Sequence, residues 1–161
     1  MVRAPLPDLD VDGYRSLVRR GRVPILPAGD AIWDPRLCAA LLADPPWTAM
    51  RFDVTFAGGI TSARRLFAVA ERSGLDVELT GYGQTLVQAA NLHVALAFGR
   101  TSFVERAVPT AEFDWGVATP IESASDGTIG IDDRPGLGVE LDEDAIERSV
   151  LARFSIDRAT A

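Results

Sequence analysis

Apolar residues follow two different spacings along the chain. Short runs rich in β-branched or aromatic residues are typical of strands, and longer runs with a helical period are typical of helices. The strand-like runs read RVPILPAGD, TAMRFDV, LDVELTG and TSFVERAV, at 22–30, 48–54, 75–81 and 101–108. The helix-like segments cover 12–20, 34–44, 61–73 and 84–98. Because the two types alternate, the pattern predicts an α/β fold with a parallel sheet.

Local signals mark the ends of two predicted helices. Asp34 precedes Pro35, as expected for an N-cap followed by proline in the first turn. Gly74 stands just after the helix predicted at 61–73, where a C-terminal cap is expected. The apolar stripe of that helix consists of Ala63, Leu66, Phe67 and Ala70.

Polar residues stand where the predicted strands end. Asp30, Asp53, Thr80 and Glu105 follow one another at intervals of 23, 27 and 25 residues, and Arg3 lies 27 residues before Asp30. Such a repeat is typical of a βα-barrel, in which all strand ends face one site. A doubly wound open sheet alternates in the same way and stays an alternative. A complete barrel takes roughly 250 residues, so this chain would hold about half of one.

The pattern changes after Glu105. The stretch DGTIGIDDRPGLGVELDEDAIERSVLARF predicts an Asp-Gly turn, a short strand, a loop and a last helix. Acidic residues at 142–144 suit the positive N-terminal end of that helix. Its predicted apolar stripe consists of Ile146, Val150 and Phe154. We therefore predict a partial βα-barrel domain at 1–110 and a C-terminal extension at 111–161.

Composition excludes several classes of protein. A hydrophobic fraction of 47% in 161 residues is sufficient for one domain with a core. The net charge of −7 argues against nucleic-acid binding, and no apolar run is long enough to cross a membrane. All 16 cationic residues are arginine, so this chain contains no lysine base. Because Cys38 is the single cysteine, we expect a cytoplasmic location.

Four stretches, in order, resemble the C-terminal part of the enolase superfamily, nearest its mandelate racemase, muconate lactonizing enzyme and acid-sugar dehydratase branch. They read APLPDLDVDGYRSL, GGITSARRLFAVAE, GYGQTLVQAANLHVAL and DRPGLGVELDEDAI. The resemblance implies the fourth to eighth strands of a modified TIM-type (βα) barrel, preceded in the family by a capping domain. It also implies Mg²⁺-assisted removal of the proton α to a carboxylate, as in racemases (isomerases) and dehydratases (lyases).

Individual residues of this chain match positions of the family's active site. Asp53 matches the aspartate of a His–Asp dyad, and Glu105 matches the eighth-strand glutamate that bonds the substrate carboxylate, so both are the predicted catalytic residues. Asp30 falls at the fifth-strand position for a Mg²⁺ ligand. Arg3 falls where a glutamate ligand usually stands, and Thr80 falls where the family has its catalytic histidine.

Two further positions complete the predicted site. Thr80 and Tyr82, at and just after the seventh strand, are the predicted substrate-binding residues, and an ordinary loop is the alternative for Tyr82. His93, the single histidine, falls within a predicted outer helix, where a structural role is expected. Cys38 falls in the helix predicted at 34–44 and is expected to be a buried, inert thiol.

The resemblance therefore predicts a truncated site. Asp30 alone, with Arg3 nearby, would bind Mg²⁺ poorly, and threonine is no general base near neutral pH. We expect a C-terminal fragment of a racemase or acid-sugar dehydratase that is not a competent enzyme alone, and whether the chain is an enzyme is left open. The resemblance implies a small carboxylate or sugar-acid substrate. The expected partner is a second copy or a missing N-terminal half, and neither nucleic acid nor membrane is expected. The alternatives are a non-catalytic oligomeric remnant and a stand-alone α/β binding domain.

Overall fold

The computed structural model describes residues 1–154, which form a mixed α/β structure. Helices and strands alternate as predicted, and a short 3₁₀-helix (Thr110–Glu112) and a last helix follow. The elements are β1 (Val2–Arg3), α1 (Val11–Arg20), β2 (Ile25–Leu26), α2 (Pro35–Leu41), β3 (Ala49–Phe52), α3 (Ile60–Arg72), β4 (Asp76–Leu79), α4 (Thr85–Phe98) and α5 (Glu143–Arg148).

The strands are parallel and lie beside one another in chain order. β1 pairs with β2, and β3 pairs with β4. The Thr48 N–H donates to the Ile25 carbonyl oxygen at 3.0 Å and so connects β2 to the start of β3. Beyond β4, Val104 forms a parallel bridge with Leu79. The described strands thus form two parallel two-stranded sheets, β1–β2 and β3–β4, which the hydrogen bond between Thr48 and Ile25 joins in chain order.

Two strands are much shorter than predicted. The strand predicted at 22–30 is reduced to two residues because Pro24 and Pro27 flank β2 and have no N–H to donate to a ladder. The strand predicted at 101–108 is reduced to the single bridge at Val104. This segment has a neighbouring strand on one side only among the described residues, so little holds it in a regular ladder.

The predicted helix-end signals are confirmed. The Asp34 side chain accepts from the Arg36 and Leu37 N–H groups at 2.8 and 2.9 Å, and Pro35 begins α2. Gly74 follows α3 with a φ of 69°, and its N–H bonds the Glu71 carbonyl oxygen at 3.0 Å. All four residues of the predicted α3 stripe are buried.

Side-chain alternation along the strands separates an apolar face from a polar one. Phe52 meets Phe67 of α3 edge to face, with ring centroids 5.7 Å apart, and Phe67 stacks on Phe98 of α4. The opposite face of β3, β4 and the residues just after them carries four buried polar or charged residues. This polar face consists of Arg51, Asp53, Glu78 and Thr80. The apolar core therefore lies between the strands and the helices.

The segment after Val104 departs from the sequence prediction at its end. The Asp-Gly turn forms at Asp126-Gly127, and Ser123 bridges Ile129 across it. Asp142 caps α5 by accepting from the Ala145 N–H at 2.9 Å.

The predicted apolar stripe of the last helix is wrong. The helix ends at Arg148, so Val150 and Phe154 lie outside it, and Phe154 is 89% exposed. Among the described residues no apolar surface covers these positions, and β-branched Val150 is a weak helix former. The end of the predicted extension, 155–161, lies outside the described residues.

Glycines let the backbone segments that follow the strands approach one another closely. A Cβ added at Gly81, just after β4, would overlap the carbonyl oxygen of Glu105. A Cβ at Gly29, which has a φ of 90°, would overlap the carbonyl oxygen of Arg51. Both contacts are with backbone atoms, which cannot swing aside as a flexible side chain would.

Glu78 is a buried carboxyl group on the polar face. Its Oε2 atom is buried without a hydrogen-bond partner in the described part of the chain. Burial away from water raises the pKa of Glu78, and hydrogen bonds from Ser102 and Phe103 oppose that rise only in part. The folded protein therefore holds the proton of this side chain more tightly than an exposed glutamate does.

The Gly81→Ala variant tests the close approach to Glu105. We expect it to lower the free energy of unfolding by about 3 kcal/mol or more, because the backbone after β4 must move away from Glu105. Gly130→Ala is the control, since an added Cβ there has open space. Urea unfolding followed by circular dichroism measures both, and equal midpoints would contradict the prediction.

The Glu78→Gln variant tests the buried carboxyl group through pH. The pKa of Glu78 is higher in the folded state than in the unfolded state, where it is about 4.3. The folded state therefore keeps a proton that the unfolded state releases, and stability falls as pH rises through the folded pKa. We expect the variant to be more stable than the wild type at pH 8, with the difference fading towards pH 4. Exposed Glu122→Gln is the control, and parallel wild-type and Glu78→Gln profiles would refute the assignment.

Candidate functional site

One cavity of about 830 Å³ lies at the carboxyl ends of the strands. All six positions singled out from the sequence line it together, although they are spread from residue 3 to residue 105. The lining residues are Arg3, Ala4, Ala28, Asp30, Trp33, Arg51, Asp53, Phe56, Thr80, Tyr82 and Glu105. The roles assigned to the six from the sequence stay predictions.

Asp53 lines the cavity but is held tightly within the protein. Its side chain is 3% exposed. Oδ1 accepts from the Thr55 N–H at 2.6 Å and from the Thr55 hydroxyl group. Oδ2 accepts from the Asn91 side-chain amide at 2.9 Å. Both carboxylate oxygens therefore have donors from the protein, and the local turn after β3 accounts for much of this geometry.

Asn91 is a site residue that the sequence analysis missed. It lies on α4 and is almost fully buried. Besides donating to Asp53, its side chain accepts from the Val54 N–H at 2.9 Å and donates to the Val87 carbonyl oxygen at 3.1 Å. The available signal was a lone amide within the run AANLHVAL, which is apolar apart from Asn91 and His93. Asn91 fixes the segment after β3 against α4.

Glu105 lies between two guanidinium groups. Oε1 forms an ion pair with Arg3, and Oε2 accepts from Nη2 of Arg51 at 2.5 Å. Nη1 of Arg51 donates to the Ala28 carbonyl oxygen. These contacts link β1, β3, the loop after β2 and the segment that contains Val104. Glu105 is therefore a fully paired carboxylate in this structure.

Arg51 was also missed by the sequence analysis, although it is a charged residue within the strand run TAMRFDV. Its side chain is only 8% exposed. Burial lowers the pKa of the Arg51 guanidinium and nearby Arg3 lowers it further, while Asp30, Asp8 and Asp53 act in the opposite direction. A buried guanidinium needs a carboxylate partner, which Glu105 supplies.

Asp30 lies in a loop whose backbone N–H groups donate hydrogen bonds to the side chain of Asp8. Asp8 is buried, and its Oδ1 accepts from the Ala28 N–H at 2.7 Å. Its Oδ2 accepts from the N–H groups of Gly29, Asp30 and Ala31 at 3.0, 2.9 and 3.1 Å. The Asp30 side chain is exposed at the cavity. Asp8 was not identified from the sequence.

Aromatic side chains surround the mouth of the cavity. Trp33, Phe56 and Tyr82 are all exposed there, and we call them the aromatic rim. Tyr82 is 67% exposed and packs edge to face on Phe113 at 5.2 Å between ring centroids. Thr80 is buried, and its N–H donates to the Phe52 carbonyl oxygen at 3.0 Å.

The carboxylates at the cavity do not fit a Mg²⁺ site. The ion prefers near-octahedral oxygen coordination that includes well-placed carboxylates. Glu105 is paired with two guanidinium groups, and Asp53 accepts hydrogen bonds from Thr55 and Asn91. Of the three carboxylates that line the cavity, Asp30 is therefore the one available to a metal ion. Across residues 1–154 no group of three or more His, Cys, Asp or Glu side chains is arranged to hold a metal ion. Arg3 and Arg51 also bring positive charge to the place where a cation would bind.

The other reactive side chains lie outside the cavity. His93 is on α4, with its Nε2 atom buried and without a partner in the described residues. Cys38 is fully buried on α2, and burial raises the pKa of its thiol to about 12. A thiol with that pKa is not a nucleophile at neutral pH.

Comparison with known proteins gives one consistent family. The family described as "Enolase C-terminal domain-like" matches residues 4–145. A D-galactonate dehydratase family member from Enterococcus gallinarum is 26% identical over 142 residues, which is 87% of this chain and 35% of that protein. The L-Lys-D/L-Arg epimerase of Methylococcus capsulatus is 30% identical over 143 residues, which is 86% of this chain and 39% of that protein.

Solved structures agree with this match. A Pseudovibrio sp. protein of the mandelate racemase/muconate lactonizing enzyme kind superposes with a TM-score of 0.89 and 34% identity, covering 93% of this chain and 40% of that chain. The chain therefore spans two fifths or less of the length of these relatives. The match along residues 4–145 and the shared fold show that the chain belongs to the enolase superfamily, in its C-terminal domain-like family.

Proposed function

We propose that this chain is the C-terminal barrel part of an enolase-superfamily protein of the racemase or acid-sugar dehydratase type. Its cavity would form one wall of a binding site for a small carboxylate or sugar acid. The observation that carries the proposal is the convergence of Arg3, Asp30, Asp53, Thr80 and Glu105 on one cavity. Binding sites at the carboxyl ends of parallel strands are the rule in βα-barrels.

A partial barrel explains the strand order best. Within each parallel pair, β1–β2 and β3–β4, and at the bridge from β4 to Val104, neighbours follow chain order, whereas a doubly wound sheet reverses its order at a switch point. The relatives are more than twice as long as this chain, which fits half of a barrel. We place the boundary between the partial barrel and the C-terminal extension near residue 110.

We propose that this chain alone does not remove an α-proton. Asp30 is the one cavity carboxylate that retains open coordination positions, which is too few for a stable Mg²⁺ site. Thr80 cannot serve as a base near neutral pH, and the chain has no lysine. His93 does not line the cavity.

Exchange of the α-proton tests this directly. We expect purified chain in D₂O to leave the α-proton of sugar acids unexchanged, with Mg²⁺ or with EDTA, as followed by proton NMR. The Asp30→Asn variant, which removes the one open carboxylate, should give the same result. Mg²⁺-dependent exchange by the wild type that disappears in Asp30→Asn would contradict the proposal.

A second candidate, a non-catalytic remnant that associates with itself, is favoured by the edge of the sheet beyond β4. Phe103 and Leu96 are exposed there beside a groove of about 470 Å³. Three buried polar atoms in the same segment have no partner among the described residues: Arg100 Nε, Thr101 Oγ1 and Arg106 Nε. These atoms have no surface in the isolated chain, so the feature that favours association is the side of the Val104 segment that lacks a neighbouring strand in the described structure.

Within residues 1–154 no helix combines the length and apolar character needed to cross a bilayer. The single cysteine is buried and unpaired, which fits the cytoplasmic location that we propose.

Light scattering during size exclusion measures the association. We expect a mass above that of the 17.3 kDa monomer, because the edge and its apolar residues need a partner. Phe103→Arg should shift the equilibrium towards monomer. Phe56→Arg, an equally drastic change on the aromatic rim, is the control that should not. A wild-type monomer at every concentration would rule out self-association and leave the first proposal standing.

A further inference from the structure

The charges at the cavity are arranged around guanidinium groups. Three carboxylates and two guanidiniums line it, and Glu105 bonds both Arg3 and Arg51. Carboxylates gathered at one site repel one another unless a positive charge lies among them. In this chain the side chains of Arg3 and Arg51 supply that charge.

Arg51 is not available to a ligand. Its side chain is 8% exposed, one terminal nitrogen donates to the Ala28 carbonyl oxygen, and the other donates to Glu105. A divalent ion that took Glu105 as a ligand would leave a buried guanidinium without its counter-ion. Breaking a buried pair from one side is strongly unfavourable. Arg51 therefore keeps Glu105 away from metal ions.

Arg3 is available. Its side chain is 51% exposed at the cavity, and the contact with Glu105 uses one of its terminal nitrogens. A guanidinium has five N–H donors in a planar fork that matches a carboxylate. The backbone of β1 is held on both sides of Arg3, since Val2 N–H bonds the Pro24 carbonyl oxygen at 2.7 Å and Ala4 N–H bonds that of Leu26 at 2.9 Å.

Resting on the proposed function, we propose that Arg3 is a built-in cation that takes the place of a metal ion and binds the carboxylate of a small acid directly. Asp30 at the same mouth repels a second carboxylate and accepts hydrogen bonds, so it favours a monocarboxylate that carries hydroxyl groups. The aromatic rim covers the carbon skeleton of such a ligand.

D-Gluconate is the probe, and D-glucitol, which lacks the carboxylate, is the matched neutral ligand. Titrations of ¹⁵N-labelled protein followed by NMR give the affinity in EDTA and in Mg²⁺. We expect saturable gluconate binding of equal affinity in both, with shifts in residues around Arg3, and no saturable binding of D-glucitol. Gluconate binding that requires Mg²⁺ would overturn the inference.

Two substitutions of Arg3 and one control variant test the role of its guanidinium. Arg3→Gln should weaken gluconate binding roughly tenfold or more, because a charge-assisted bond is lost. Arg22→Gln, an exposed arginine that does not line the cavity, should bind as the wild type does. Arg3→Glu should lose gluconate binding, because a carboxylate then stands where the guanidinium was. Circular dichroism shows whether each variant is folded.

The outcomes distinguish this inference from the proposed function. Unchanged gluconate affinity in a folded Arg3→Gln variant would overturn the role of Arg3 and leave the acid-binding site in place. Absence of gluconate binding by the wild type, with or without Mg²⁺, would overturn both. If Arg3→Gln does not fold, the wild-type titration decides, and saturable gluconate binding without shifts in residues around Arg3 would overturn the inference.

Discussion

The buried ion pair between Arg51 and Glu105 is the interaction on which the architecture of the cavity depends. A guanidinium that is almost fully buried is tolerated only with a carboxylate beside it. Because the pair joins residues separated by 54 positions, it ties β3 to the segment beyond β4. The second hydrogen bond of Arg51, to the Ala28 carbonyl oxygen, brings the loop after β2 to the same point. The guanidinium of Arg51 thus joins the segments that form the cavity wall.

Features set by local chemistry were predictable from the sequence. The caps at Asp34 and Gly74 follow from the bonding and backbone preferences of those residues, and both formed as expected. Strand lengths were less predictable, since Pro24 and Pro27 interrupt pairing at β2. The stripe through Val150 and Phe154 has helical spacing, but a period forms a helix only where a surface covers it. Whether such a surface exists cannot be predicted from the local sequence, because the surface is formed by residues elsewhere in the chain.

The candidate site also has features that the sequence predicts and features that it does not. The regular spacing of strand ends was sufficient to bring Arg3, Asp30, Asp53, Thr80 and Glu105 to one cavity, because parallel strands share a common edge. The partners of these residues were not predictable. Asn91 reaches Asp53 across 38 positions, and the register between α4 and β3 determines which side chain arrives there. Spacing predicts where a side chain lies, but not which donor will meet it.

The carboxylate of Asp8 accepts hydrogen bonds from the main-chain N–H groups of residues 28–31. A loop held in this way keeps its shape whichever side chains it carries, apart from Gly29, where a Cβ has no room. Asp30 and Ala31, whose side chains are exposed, are therefore free to change to residues other than proline without loss of these hydrogen bonds. Because Asp30 lines the cavity, a single substitution there changes the chemistry offered to a ligand while the backbone of the loop stays anchored.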